Sequence, residues 1–281
     1  MVYDSARERV VLFGGTEFSS PVNETWEYDG TSWTEVTPSS SPAPRVGFAI
    51  VYDSARGRVV LFGGSVSLGR YVADTWEYDG TSWTEVTPVT SPPVRTGHGM
   101  AYDATRNRVV LYGGGAASDW LDDTWEYDGT TWIEVRTSPS PPGRVAGRMV
   151  YDSLRGRVVL FGGVTTSVTS LGDTWEYDGT TWTEVATTSS PAERHFYAMA
   201  YDSVRAVVVL FGGYQGGTEV FDDTWEYDGT TWTRVMTSPS PAGRIQHGMT
   251  YDSKRGRTIL FGGDDPYGSG TFGDTWEYGL P

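Results

Sequence analysis

Short apolar runs recur along the chain at nearly constant spacing. Each resembles Arg58-Val-Val-Leu-Phe62, which is apolar at successive positions, as is typical of a strand covered on both faces. Gly-Gly follows each run and Tyr-Asp precedes it. The tyrosines of these pairs are 49 or 50 residues apart: Tyr3, Tyr52, Tyr102, Tyr151, Tyr201 and Tyr251. A period near fifty predicts a repeat architecture in which each unit buries the apolar face of its neighbour.

Four short strands, A to D, are predicted in each unit. Strand A runs from an arginine to Tyr-Asp, as in Arg95 to Tyr102, and strand B is the apolar run. Strands C and D are exemplified by Thr75–Tyr78 and Ser82–Val86. Because β-branched and aromatic residues fill these segments and no helical periodicity is sustained, we expect an all-β fold.

The connections support antiparallel pairing. Asp79-Gly80 joins strands C and D and supplies the positive φ angles of a tight hairpin. In four units a Gly or Asn fills the left-handed position of the A–B turn. Glu8 and Ala206 occupy that position in the other two, where we expect tolerated strain or a different turn type.

Six such units predict a six-bladed β-propeller that forms one domain. Gly14-Gly15 after strand B, Tyr28 of strand C and Trp33 five residues later resemble the Kelch repeat, and the resemblance covers essentially the whole chain. It implies four-stranded blades with the tryptophans wedged between them. The expected blades are 1–37, 45–87, 95–136, 144–186, 194–236 and 244–281.

The sixth unit ends with Tyr278-Gly-Leu-Pro281, directly after strand C. The last blade is therefore expected to lack its outer strand, which leaves strand C as an open edge. We interpret the chain as a segment of a longer product or as a trimmed one. A monomer is expected, with a dimer through the open edge as the alternative.

The variable loops are predicted to share one face. Antiparallel threading places the D–A and B–C loops together at the near face, and the repetitive A–B and C–D turns at the far face. The B–C loops differ completely and carry aromatic tips, as functional loops on a rigid scaffold do. These tips are Phe18, Tyr71, Trp120, Tyr214, Phe221, Tyr267 and Phe272. The hypothesis is a binding rim for a protein, peptide or glycan; loop drift with the aromatics tucked onto neighbouring blades is the alternative.

An arginine begins strand A in five units: Arg45, Arg95, Arg144, Arg194 and Arg244. A ring of guanidinium groups at the mouth could bind a carboxylate or phosphate. An aspartate also precedes strand C in each of these units, at Asp74, Asp123, Asp173, Asp223 and Asp274. Repetition in every unit favours a structural Arg–Asp pair, although the resemblance implies that arginines here can bind acidic peptides.

Three residues after each arginine the units diverge, and His98, Tyr197 and His247 are candidate ligand-binding residues at this position. His98 and His247 are three blades apart, across the axis. Packed, hydrogen-bonded histidines are the simpler interpretation, and no metal site is predicted.

Charge and composition narrow the function further. Thirty-six acidic against 21 basic residues give a formal charge of −15, which argues against a nucleic-acid partner. Cysteine is absent, which excludes disulfides, thiolate metal sites and the Cys-linked Tyr cofactor of propeller-type copper-radical oxidases. Neither a membrane span nor a secretion signal is recognisable, so we expect a soluble protein and predict no compartment and no cofactor.

These observations favour a non-enzymatic binding or scaffold propeller that uses the D–A and B–C loop face. The alternative is a carbohydrate- or anion-processing enzyme that resembles the Kelch-type sialic acid mutarotases. A third interpretation, suggested by the similarity of the units, is an engineered or recently amplified repeat scaffold without a selected ligand. Fold alone does not decide among them.

Overall fold

The computed structural model describes residues 1–17, 20–67, 69–117, 119–217, 219–268 and 270–279. Six antiparallel sheets follow one another along the chain, and the described residues contain no helix. Blades 1 to 5 each have four strands in the order A-B-C-D from the axis outward. Among the described residues blade 6 has three, as predicted.

Each of blades 1 to 3 has one four-stranded sheet. Blades 2 and 3 also have a two-stranded hairpin within the B–C loop. Their strands are β1 (Val2–Asp4), β2 (Arg9–Glu17), β3 (Ser20–Tyr28) and β4 (Trp33–Val36); β5 (Ala49–Asp53), β6 (Arg58–Phe62), β7 (Ser65–Ser67), β8 (Arg70–Tyr71), β9 (Thr75–Tyr78) and β10 (Trp83–Val86); and β11 (Gly99–Asp103), β12 (Arg108–Tyr112), β13 (Gly115–Ala116), β14 (Asp119–Trp120), β15 (Thr124–Tyr127) and β16 (Trp132–Val135).

Blades 4 to 6 follow the same plan. Their strands are β17 (Arg148–Asp152), β18 (Arg157–Val164), β19 (Ser170–Tyr177) and β20 (Trp182–Val185); β21 (Ala198–Asp202), β22 (Val207–Phe211), β23 (Tyr214–Gly216), β24 (Glu219–Val220), β25 (Thr224–Tyr227) and β26 (Trp232–Val235); and β27 (Gly248–Asp252), β28 (Arg257–Phe261), β29 (Asp264–Asp265), β30 (Gly270–Thr271) and β31 (Thr275–Tyr278).

The A strands begin later than the sequence predicted. In blade 3 the strand starts at Gly99 rather than Arg95, because Gly97 takes a left-handed φ of 67° and interrupts the extended backbone. Ala146, Phe196 and Gln246 adopt φ angles of 57–58° at the equivalent position without the freedom of glycine. The residues before each A strand therefore form a bent segment that leads into the blade.

The A–B turns have one conformation throughout. Glu8 and Ala206 have φ angles of 57° and 56°, close to the 62° of Gly57. Of the two expectations for these positions, tolerated strain is therefore confirmed and a different turn type is wrong.

The core lies between the blades. The B-strand residues Val59, Val60, Leu61 and Phe62 are completely buried, as the run of apolar positions predicted. The indole Nε1 of the D-strand Trp83 donates to Thr25 Oγ1 of the preceding blade, at 3.0 Å. Burial of such a ring provides the largest apolar contribution of any side chain at the interface.

The ring is closed by the same contact between the last and first blades. Trp33 of blade 1 donates its Nε1 proton to Thr275 Oγ1 of blade 6, at 3.0 Å, and its ring lies 4.8 Å from that of Phe261. Closure therefore relies on side-chain packing between separate sheets.

A second set of interblade contacts repeats on the far face. Arg7 donates from Nε to Asp4 (2.7 Å) and from Nη1 to Glu27 (2.6 Å). Glu27 also accepts from the Tyr78 hydroxyl of the next blade at 3.0 Å, and Arg7 lies over the Tyr78 ring. The near-invariant turns of this face are thus parts of one structural network.

Candidate functional site

The near face is formed by the variable loops, each fixed to the segment that enters its own blade. Single β-bridges make this connection in five blades: Val46 with Ser65, Thr96 with Gly115, Val145 with Val164, His195 with Tyr214, and Ile245 with Asp264. The loops therefore lie around the mouth of the axial channel, each paired with the bent segment that precedes the A strand of its blade.

The five strand-entry arginines are bound within the protein. Both terminal nitrogens of Arg95 donate to the carboxylate of Asp123 at 2.7 Å, while Nη1 also donates to Gly113 O (2.8 Å) and Nε to Pro93 O (3.1 Å). Arg95 is fully buried. The same bonds recur in Arg45, Arg144, Arg194 and Arg244.

These contacts determine what the five arginines around the channel mouth can bind. A planar guanidinium matched to a carboxylate edge is a strong, oriented pair. The hydrogen bonds from Arg244 lower the pKa of Asp274 to about 2, so the carboxylate stays ionised. An external carboxylate could reach these arginines only by displacing the aspartate.

Two of the predicted loop-tip aromatics cover the arginines. Phe221 lies with its ring centroid 3.9 Å from the guanidinium carbon of Arg194, and Phe272 lies 4.1 Å from that of Arg244. Stacking of this kind stabilises a desolvated cation. Phe221 and Phe272 are therefore tucked inward onto the arginines of their own blades, and not onto neighbouring blades as the alternative expected. Phe18 lies outside the described residues.

The residues three positions after the arginines pack backward onto the preceding blade. His98 and His247 make edge-to-face contacts with Phe62 and Phe211, at 5.6 and 5.7 Å. Phe48 contacts Phe13 at 5.5 Å in the same way. In blades 2, 3, 5 and 6 this position therefore holds a ring that packs on the aromatic residue ending the preceding B strand, whereas blade 4 has Gly147 there.

The two histidines are neutral at ordinary pH. Burial, and secondarily the nearby charges of Arg95 and Arg244, lowers the pKa of His98 and of His247 to about 3. Both rings are packed as expected, and the backbone of Phe62 or Phe211 approaches their nitrogens without the geometry of a full hydrogen bond. The hydroxyl of Tyr197, in contrast, donates to Phe161 O and accepts from the amide of Arg148.

The remaining predicted contact residues lie in the loop hairpins. Tyr71 and Trp120 are half-buried on β8 and β14. Tyr214 and Tyr267 come from adjacent blades, with ring centroids 6.3 Å apart, and Tyr267 is 52% exposed. The latter two therefore form one aromatic patch, which His195 extends because its ring lies 5.1 Å from Tyr214.

Arg148 is a residue that sequence reasoning missed. It lies on the innermost strand of blade 4, where the other blades have Ala49, Gly99, Ala198 and Gly248. Its Nε donates to Tyr197 O at 3.2 Å, and no carboxylate pairs with it among the described residues. Burial lowers the pKa of Arg148. When the units are aligned, Arg148 is the one charged residue at a position that otherwise holds Ala or Gly, and this contrast could have identified it from the sequence.

The far half of the axial channel is a cavity of about 260 Å³. Residues of the A strands line it, including methionines such as Met100 and Met149 and the tyrosines that begin each A–B turn, such as Tyr102.

The closed ring of four-stranded sheets, the Gly-Gly pairs and the interblade tryptophans define a β-propeller of the Kelch class. A model of the KLHDC2/KLHL20/DRC7 Kelch-repeats domain matches residues 1–188 and 130–280, and the chain belongs to this family. No curated protein matches the chain significantly. In the described part of the chain, no helix has the length and apolar character needed to cross a membrane.

Proposed function

We propose that this propeller is a non-enzymatic binding module that holds a partner protein or peptide on the near face. The observation that carries the proposal is the contrast between the two faces. Far-face turns are nearly identical and are committed to the Arg–Asp–Glu–Tyr network, whereas near-face hairpins differ in every blade and display Tyr71, Trp120, Tyr214 and Tyr267.

The charge of the loops indicates the kind of partner. The B–C loops contain one basic residue, Arg70, against seven acidic ones: Glu17, Asp119, Asp122, Glu219, Asp222, Asp264 and Asp265. A partner segment with basic and apolar side chains would complement this surface, and electrostatic attraction would speed its encounter. The paired arginines support the blades under the loops.

Selection of peptides from a random library on the immobilised chain tests this function. The selected peptides are expected to be enriched in Arg, Lys and aromatic residues. The double variant Tyr214→Ser and Tyr267→Ser should bind these peptides at least about tenfold more weakly, because it loses two aromatic anchors. The matched control is Leu154→Ser with Val204→Ser, which removes exposed apolar residues from far-face turns.

Unchanged affinity in the near-face variant, or a loss confined to the far-face control, would refute the proposal. Acidic sugars added as competitors distinguish a glycan site, since a glycan-binding face would release the peptide on their addition.

A further inference from the structure

Arg148 lies in a stretch of the channel wall that has no carboxylate of its own. The segments between each entry arginine and the following Tyr-Asp pair, residues 46–51, 96–101, 145–150, 195–200 and 245–250, contain no aspartate or glutamate. Arg148 is also the only lysine or arginine in these segments. The five entry arginines differ from it, because each of them is paired with an aspartate.

Tyr197 holds both the backbone and the side chain of Arg148. The Arg148 amide donates to the Tyr197 hydroxyl at 3.0 Å, and Arg148 Nε donates to Tyr197 O at 3.2 Å. Tyr197 is itself fully buried, and its hydroxyl donates to Phe161 O. A guanidinium has five N–H donors, and only the Nε–H is used here. Among the described residues no group accepts from Nη1 or Nη2, so four donors on a fixed side chain remain.

The guanidinium extends toward the axis. Neighbouring A strands leave little space between them at this level, since a Cβ added to Gly99, the residue of blade 3 equivalent to Arg148, would lie 2.7 Å from Met149 Sδ. A long side chain at this position therefore continues inward. In agreement with this direction, the charge of Arg148 contributes to the low pKa of both His98 and His247, which belong to opposite blades.

The cavity in the far half of the channel lies next to this arginine. Its volume is about 260 Å³, and its lining includes Met149, the residue that follows Arg148. The carboxylates at the far end of the A strands are already paired, as Asp103 is with Arg106 at 2.7 Å. A small solute in the cavity would thus meet Arg148 as the cation without a partner.

We propose that Arg148 binds a small free oxyanion, such as phosphate, sulfate or a short carboxylate, inside the axial channel. Nη1 and Nη2 can donate two parallel hydrogen bonds to two oxygens of one such group. A cation that is removed from water without a counter-charge is costly, and the oxyanion supplies that charge. The site is separate from the near-face loops and from the paired entry arginines, so it does not depend on the proposed peptide-binding function.

Titration calorimetry and thermal unfolding of the intact chain test the proposal. Sodium phosphate, sodium sulfate and sodium acetate are added separately in Tris-chloride buffer, with the ionic strength held constant by sodium chloride. Chloride is the reference, because a monatomic ion cannot accept two parallel hydrogen bonds on separate oxygens. Saturable binding of at least one oxyanion is expected, with a rise in Tm of about 5 °C at a hundredfold excess over Kd.

Variants of Arg148 assign the binding to this side chain. Arg148→Ala should fold, since Ala49 and Ala198 occupy the equivalent positions, and should lose the rise in Tm. Arg148→Lys keeps the charge without the fork of two donors and should weaken binding about tenfold. Arg234→Ala, which removes an exposed arginine from the outer strand β26, is the matched control and should bind like the parent.

Backbone NMR locates the anion independently of stability. Phosphate should shift the amide signals of Arg148 and Tyr197 in the parent and leave them unchanged in Arg148→Lys at the same concentration below its Kd. Absence of saturable binding, equal binding by Arg148→Ala, or an equal loss in Arg234→Ala would overturn the proposal. Binding of acidic peptides without any effect of the three small anions would overturn it as well, because the ligand would then be a segment of a partner protein.

Discussion

Arg95 and Asp123 meet edge to edge inside the protein, with both terminal guanidinium nitrogens 2.7 Å from the two carboxylate oxygens. Arg95 also donates to two backbone carbonyls, so the pair joins the segment that enters blade 3 to Gly113, which follows strand B, and to Asp123, which precedes strand C. Its fivefold repetition makes this contact a structural element of blades 2 to 6.

Arg95→Ala is expected to lower the free energy of unfolding by about 3–5 kcal/mol, because it leaves Asp123 and two carbonyls without their partner. Arg194→Ala should behave in the same way. Urea or thermal unfolding measures the loss, with the exposed Arg70→Ala as control. An Arg95→Ala variant as stable as the parent would show that the pair is dispensable.

Arg148→Ala should change the free energy of unfolding by less than about 1 kcal/mol, although it also removes an arginine, here from the innermost strand of blade 4. The side chain has one hydrogen bond and no described carboxylate partner, and alanine or glycine already occupies the position in four other blades. The same unfolding experiment compares the two arginines directly. A loss as large as that of Arg95→Ala would reveal a partner for Arg148.

Trp132→Ala should destabilise the chain by about 3–5 kcal/mol, because it empties an interface between two blades. Ile133→Ala, at the next position on the same strand, is 54% exposed in the parent and should cost less than about 1 kcal/mol. Equal costs for the two substitutions would contradict the assignment of the indole as the interblade contact.

Stability should fall as the pH decreases from about 6.5 toward 3. His98 and His247 have folded-state pKa values of about 3, whereas an unfolded histidine has a pKa of about 6.5, so in this window the unfolded state binds more protons. By pH 5 the two residues together should account for about 3 kcal/mol of lost stability.

The double variant His98→Phe and His247→Phe uses the residue that blade 2 has at this position, Phe48. Its stability should be retained at pH 7 and should depend less on pH between 5 and 6.5 than that of the parent. Identical pH profiles for parent and variant would mean that these histidines titrate normally in the folded state.

The repeated features were predictable because each is encoded several times. Gly-Gly, Tyr-Asp and Asp-Gly at a constant period predict the blades, and the recurrence of Arg with Asp at fixed positions predicted their pairing. Features that occur once were not: Arg148 stands out only when the units are aligned column by column.

Other details depend on the path of the loops and of the segments that enter the blades, which the spacing of the motifs does not specify. The stacking of Phe221 on Arg194 needs the path of a variable loop. The left-handed bend at Gly97 was not predicted because three of the equivalent residues in other blades are not glycines, so no glycine pattern marks the position.

Hydrogen exchange with and without a library-selected peptide tests the central claim, that the variable near face is the binding face of a rigid ring. Protection is predicted in the B–C loop hairpins, including residues 214–220 and 264–271, with the A–B and C–D turns unchanged. Protection confined to those far-face turns would contradict the account.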